Sequence, residues 1–71
     1  MERRKVSSSH LVAVGYDPAA QKMHVEFSNG AVYEYRGVSA HTHEALMNAN
    51  SAGEHFVKHI KKVFNGKRVS E

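Results

Sequence analysis

The stretch that most constrains this 71-residue chain is Met23-His24-Val25-Glu26-Phe27-Ser28-Asn29-Gly30-Ala31-Val32-Tyr33-Glu34-Tyr35. Two runs with strand character flank an Asn-Gly pair, the strongest short-range hairpin signal in a sequence. Side-chain alternation then fixes the loop length. A two-residue loop, Asn29-Gly30, sets Phe27 opposite Val32 and Val25 opposite Glu34, and neither face is clearly apolar. A three-residue loop, Ser28-Asn29-Gly30, pairs Phe27 with Ala31, Val25 with Tyr33 and Met23 with Tyr35. One face is then apolar, and the other carries His24, Glu26, Val32 and Glu34. A slip of one residue swaps the faces, so the apolar pattern selects the register. The expected turn is type I closed by a bulge, with Gly30 in the left-handed region where a side chain is strained.

The flanking segments extend this hairpin into an α+β arrangement. Leu11 to Tyr16 reads as a first strand. Its apolar residues do not alternate cleanly, which predicts a buried strand or a bulge. Asp17-Pro18-Ala19-Ala20-Gln21 is a turn, because Asp can bond the backbone two residues on and Pro presets the next backbone angle. Arg36-Gly37 ends the sheet. Ser39 reads as the N-cap of a short helix from Ala40 to Asn50, with Ala45, Leu46 and Ala49 at three- and four-residue spacing. Ser51-Ala52-Gly53-Glu54 fits a capping box that starts a second helix. There Phe56, Val57, Ile60, Val63 and Phe64 form one stripe of 3.6-residue period, and Asn65-Gly66 closes the helix. The expectation is a three-stranded antiparallel meander followed by two helices packed on one face (βββαα). Its single domain spans 1–71, with an ordered core at about 7–65 and loose ends.

Composition narrows the class further. A chain this short buries only about 60% of its unfolded surface, so its core must be economical. It contains no cysteine, which excludes a disulfide scaffold and suits a reducing cytoplasm. No apolar run approaches the roughly 20 residues of a membrane span, and the basic start, Met1 to Lys5, leads into no apolar segment of the kind a secretory signal needs. Neither a membrane partner nor a cofactor is expected. The net charge of +3 is uneven. Residues 1–57 hold five Lys/Arg and six acids, while residues 58–71 hold five Lys/Arg against Glu71. A basic end on a near-neutral body suits a polyanion, although lysines that merely solubilise a helix give the same pattern.

Several short signatures resemble the KTSC domain. They are Ser8-Ser9-x-Leu11-x-x-Val14-Gly15-Tyr16-Asp17, then Val25-x-Phe27-x-Asn29-Gly30 and Tyr33-x-Tyr35, followed in order by Ala45-Leu46, Ser51-x-Gly53 and Phe56-x-x-x-Ile60. The resemblance runs from about residue 6 to residue 64. That family is named for the C-terminal extension of some lysyl-tRNA synthetases and also occurs as small stand-alone bacterial and phage proteins. It implies a small α+β domain. It implies little about function, apart from an RNA-binding role suggested by the synthetase context. The chain departs from the family pattern at Ser39, where proline is expected, and at His43 and His55, where an aromatic is common.

Candidate site residues follow from chemistry. Lys58, Lys61, Lys62, Lys67 and Arg68 suit phosphate contacts, which would be salt-sensitive and blind to sequence. Tyr33 and Tyr35 suit base stacking on a sheet surface. They equally suit the core, and their place on the apolar face with Phe27 and Val25 favours that second reading; Tyr16 poses the same choice. His55-x-x-x-His59 sets two imidazoles one turn apart, a spacing that can chelate zinc. With no cysteine and no clearly placed third ligand, no metal site is expected. The chain has neither a Gly-rich phosphate loop nor a nucleophile elbow. The expected function is therefore a small, non-enzymatic, cytoplasmic module that binds RNA or another nucleic acid through its basic C-terminal helix. The competing reading is a protein-interaction or self-associating domain that uses a strand edge or the polar sheet face around Val32.

Overall fold

The computed structural model describes residues 2–6 and 8–69. Ser7, Ser70 and Glu71 therefore lie outside the described residues, as does Met1. Strands β1 (Arg3–Lys5), β2 (Leu11–Asp17), β3 (Lys22–Phe27), β4 (Val32–Arg36) and β5 (Gly66–Arg68) form one antiparallel sheet in the order β1-β2-β3-β4-β5. Between β4 and β5 come helix α1 (Ala40–Met47) and helix α2 (Ala52–Phe56), and α2 runs directly into a π-helical turn at Val57–Lys61.

The central hairpin adopts the three-residue loop. Met23 pairs with Tyr35 and Val25 with Tyr33. The Phe27 amide donates to the Ala31 carbonyl at 2.8 Å and the Gly30 amide to the Phe27 carbonyl at 2.9 Å. Gly30 has φ +90°, as the turn requires. The bulge expected in the preceding strand lies between Leu11 and Ala13. It lets both Leu11 and Val14 point to the same, buried side of the sheet. In the turn after β2, Asp17 Oδ1 accepts from the amides of Ala19 and Ala20 at 3.1 and 3.4 Å.

Both ends of the chain depart from the sequence reading. The amino-terminal segment is a strand rather than a loose lead-in: Arg3, Arg4 and Lys5 pair with Gly15, Val14 and Ala13. Lys67 and Arg68 are not a frayed extension of the second helix, because Gly66 to Arg68 pair with Tyr35, Glu34 and Tyr33. The sheet accordingly has five strands, not three. Edge strands of three residues stand on backbone hydrogen bonds to a sheet already formed, so they carry no apolar alternation of their own.

Helices and sheet enclose one core. Leu11, Val14, Met23, Val25 and Tyr35 from the sheet meet Val38, Leu46, Ala52, Phe56 and Ile60 from the helical side. Ser39 caps α1, its hydroxyl accepting from the Thr42 amide at 3.2 Å. The helix ends at Met47 rather than Asn50, with Asn48 as its C-cap. Ser51 caps α2 by accepting from the Glu54 amide at 3.3 Å. The return half of the capping box is replaced by another bond, because the Glu54 carboxylate takes Lys58 Nζ at 2.7 Å.

The π turn corrects the second-helix stripe. Phe56 and Ile60 are buried and Phe64 packs against the core, whereas Val57 is 44% and Val63 68% exposed. A π turn inserts one residue relative to α-helical spacing, which rotates every later position by about 100°. Phe64 keeps the inward place expected of it, whereas Val63, expected on the same stripe, turns outward.

Candidate nucleic-acid interface

Glycine spacing and ring packing shape the helical side of the sheet into a cleft. Its floor is Leu11, Phe27, Tyr33 and Tyr35 from the strands with Ala31 just before β4. One wall is Gly53, Phe56, Val57 and Lys61 from α2 and the π turn, and the other is His10 with the hairpin tip at Ser28 and Asn29. The cleft volume is about 530 Å³, within the range of about 300–1,000 Å³ usual for small-molecule sites. The π turn matters here, because such turns widen a helix locally and frequently occur at functional sites.

The floor rings meet edge to face throughout. Phe27 and Tyr33 lie 5.5 Å apart at 89°, Phe27 and Phe56 5.5 Å apart at 72°, and Tyr35 and Phe56 5.5 Å apart at 78°. This herringbone is the arrangement that ring quadrupoles favour. Tyr35 and Phe56 are buried, while Phe27 and Tyr33 are half-buried and open to the cleft. Burial and then the neighbouring Tyr33 push the Tyr35 phenol up from its ordinary pKa of 10.0, so it stays protonated. Gly66 has no room for a side chain, since a Cβ there would lie 2.6 Å from the Tyr35 ring. Glycine there lets β5 lie directly against the Tyr35 ring. Gly53 is equally constrained, because its Cβ would lie 2.6 Å from Ser8 Oγ. That hydroxyl is itself held by the amides of His10 and Leu11 at 3.2 and 3.3 Å.

The structure divides the sequence candidates into groups. Tyr33 and Lys61 line one cleft. Arg68 stands opposite Tyr33 in the β4–β5 register, so its side chain leaves the sheet on Tyr33's side. Tyr35 is a core residue with one edge in the cleft floor. Lys67 pairs with Glu34 and therefore belongs to the opposite face of the sheet. Lys58 borders a separate depression with His55 and His59, and it is engaged by Glu54. That bond holds the Glu54 carboxyl below the usual range. Lys62 is exposed on the turn that follows the helix. The single basic patch expected on the outer helix face is therefore split. Sequence reasoning missed Phe27, Phe56, Gly53 and Val57 as cleft residues. Their one visible signal was that the apolar face of the hairpin runs right up to its loop.

The remaining aromatic and histidine candidates have structural partners. The Tyr16 hydroxyl donates to the Val38 carbonyl at 2.6 Å, and its ring stacks on His43 at 4.4 Å and 8°. His43 thus fills the place of the aromatic common in the family. Burial, and after it the Arg4 charge, lowers its pKa. The rings of His55 and His59 lie 4.5 Å apart. Among the described residues, no group of three or more His, Cys, Asp or Glu side chains is placed to hold a metal ion. On the open sheet face, Glu34 joins His24 at 3.0 Å and Arg36 at 2.8 Å. The His24 hydrogen bond and then the Arg36 bond bring the Glu34 pKa down to about 2.

A five-stranded antiparallel sheet, four of its strands in a meander, with one face covered by two short helices and a cleft left open between sheet and helix, defines a small α+β domain. The KTSC domain family matches residues 7–64, and the chain belongs to that family. A crystal structure of a KTSC domain protein from Yersinia pestis superposes with a TM-score of 0.90 at 34% identity and covers 97% of each chain. An uncharacterized protein of Stutzerimonas stutzeri is 46% identical over 56 residues, 79% of each chain. A lysine–tRNA ligase of a Nostoc species is 38% identical over 66 residues, which is 93% of this chain but only 12% of the ligase. No helix among the described residues is long and apolar enough to cross a membrane.

Proposed function

We propose that this domain is a cytoplasmic, non-enzymatic module that binds single-stranded RNA on the cleft side of its sheet. The observation that carries this reading is that Phe27, Tyr33 and Lys61 line one cleft, with Arg68 opposite Tyr33 in the β4–β5 register. Aromatic and basic groups in one patch are how single strands are held. Rings take the bases, which all have a π-face, and cations take the phosphates. Among the described residues, Lys61 and His10 are the basic groups in the cleft lining, and no carboxylate lines it, so the cleft favours an anion. The similarity to part of a lysine–tRNA ligase supports an RNA context.

Fluorescence anisotropy with labelled single-stranded and duplex RNA over a salt series tests this. Lys61→Gln and Arg68→Gln should each weaken single-strand binding and flatten the salt slope by about 0.7, the share of one neutralised phosphate. Lys58→Gln, at a separate depression and paired with Glu54, should change little. Absence of binding by the wild-type protein at low salt refutes the reading. The competing reading, self-association or protein binding, draws on the exposure of Val57 and Val63. Two other observations oppose it. Both sheet edges are cationic, Arg3-Arg4-Lys5 on one and Lys67-Arg68 on the other, so pairing two copies edge to edge juxtaposes like charges. Val32, the apolar residue offered for the open face, is only 8% exposed.

A further inference from the structure

We infer that the cleft is a slot for one nucleotide: it takes a single unstacked base against the Phe27–Tyr33 corner and that nucleotide's phosphate at Lys61. This rests on the RNA reading above and adds to it the number of bases read and the place of each group. Serial stacking of neighbouring bases needs ring platforms that are parallel. The two rings open to the cleft stand at 89° to each other, so a base lying flat on either ring meets the edge of the other. A second base has no platform beside it, because the next rings, Phe56 and Tyr35, are buried and again near-perpendicular.

The walls set the same limit. The hairpin tip, Ser28 and Asn29, closes one side, and Gly53 with Val57 closes the other. Small residues make the room between them. Ala31 puts only a methyl beside Phe27, and Gly53 offers only backbone at the wall. Lys61 sits one helical step beyond Val57, at the lip. Val57 and Lys61, four residues apart and so neighbours on one face of the helix, both line the cleft while Ile60 stays in the core. A cationic lip over an aromatic floor excludes a cationic guest such as a methylated amine. It suits an aromatic guest that carries its own anion, which describes a nucleotide.

Amide-resolved NMR titration distinguishes the possibilities, with adenosine monophosphate, adenosine and inorganic phosphate as separate probes and a short oligoadenylate as the polymer. Adenosine monophosphate should shift the amides of Ala31, Tyr33, Gly53 and Val57. Adenosine should shift the same set more weakly, and phosphate alone should leave Tyr33 unmoved. Lys61→Gln should weaken the monophosphate by about two- to fivefold, the range for an exposed ion pair, and leave adenosine unchanged. Val57→Trp, a change at a 44% exposed position, should fill the slot and remove the shifts from both. If the oligoadenylate binds but neither mononucleotide nor nucleoside perturbs the cleft at millimolar concentration, the one-nucleotide slot is overturned and the RNA reading stands. If the oligoadenylate and a mixed-sequence single strand also fail to bind, both fall together.

Discussion

Ile60 and Val63 are three positions apart on what the sequence presents as one helical stripe, and the structure treats them oppositely. Ile60 is fully buried and Val63 is 68% exposed. Ile60→Ala removes three carbons from a closed core, which loses about 2.4 kcal/mol of transfer free energy at roughly 0.8 kcal/mol per carbon. The residual cavity adds to this, which brings the expected cost to about 3–4 kcal/mol. A domain of this length has about 4–11 kcal/mol of total stability. The substitution therefore removes a large fraction of it and should lower the melting temperature by about 12–30 °C, at about 4–8 °C per kcal/mol for a domain this size. Val63→Ala should stay within about 0.5 kcal/mol of wild type, as exposed substitutions do. Thermal and urea unfolding followed by circular dichroism measure both. A regular α-helix through residue 64 makes the two positions equivalent. Equal destabilisation by both changes would refute the π-turn account of how this helix meets the sheet.

Three further outcomes test other parts of the structure. Glu34 has its folded pKa depressed to about 2, so its contribution is present above its ordinary 4.5 and lost as pH falls from there through about 2. Acid unfolding should steepen in that window, and His24→Ala should raise the Glu34 pKa in a carboxyl NMR titration. Gly66→Ala drives a methyl into the Tyr35 ring and should cost about 1–3 kcal/mol, with the Val69 amide, which donates to Val32 at 2.8 Å, losing exchange protection first. Gly53→Ala collides with a Ser8 hydroxyl held by two amides. It should therefore destabilise the wild type more than it destabilises a Ser8→Ala background, and a double-mutant cycle that is additive within about 0.5 kcal/mol would contradict the contact.

Features set by neighbours in sequence were legible in the chain itself. The hairpin register followed from alternating apolar residues and the Asn-Gly loop, because a one-residue slip would expose Val25 and Met23. The Asp17 turn and the serine caps at Ser39 and Ser51 were legible for the same local reason. Each side chain satisfies backbone amides two or three residues away. Family membership rests on the order of such local signatures, and the sequence carried that too. Tertiary structure alone decided the two outer strands. Arg3 finds Gly15, and Gly66 finds Tyr35, through backbone groups that carry no side-chain signature. It also decided the π turn, since a shift from four- to five-residue hydrogen bonding leaves no trace in the residue types and appears only when Phe64 docks on the core without Val63. The candidate site depends on tertiary structure as well. Without β5, Arg68 has no place beside Tyr33; without the packing of the helix against the sheet, Lys61 and Tyr33 do not line one cleft. One-dimensional spacing placed the lysines on a common outer face, and the packing of that helix against the sheet divided them.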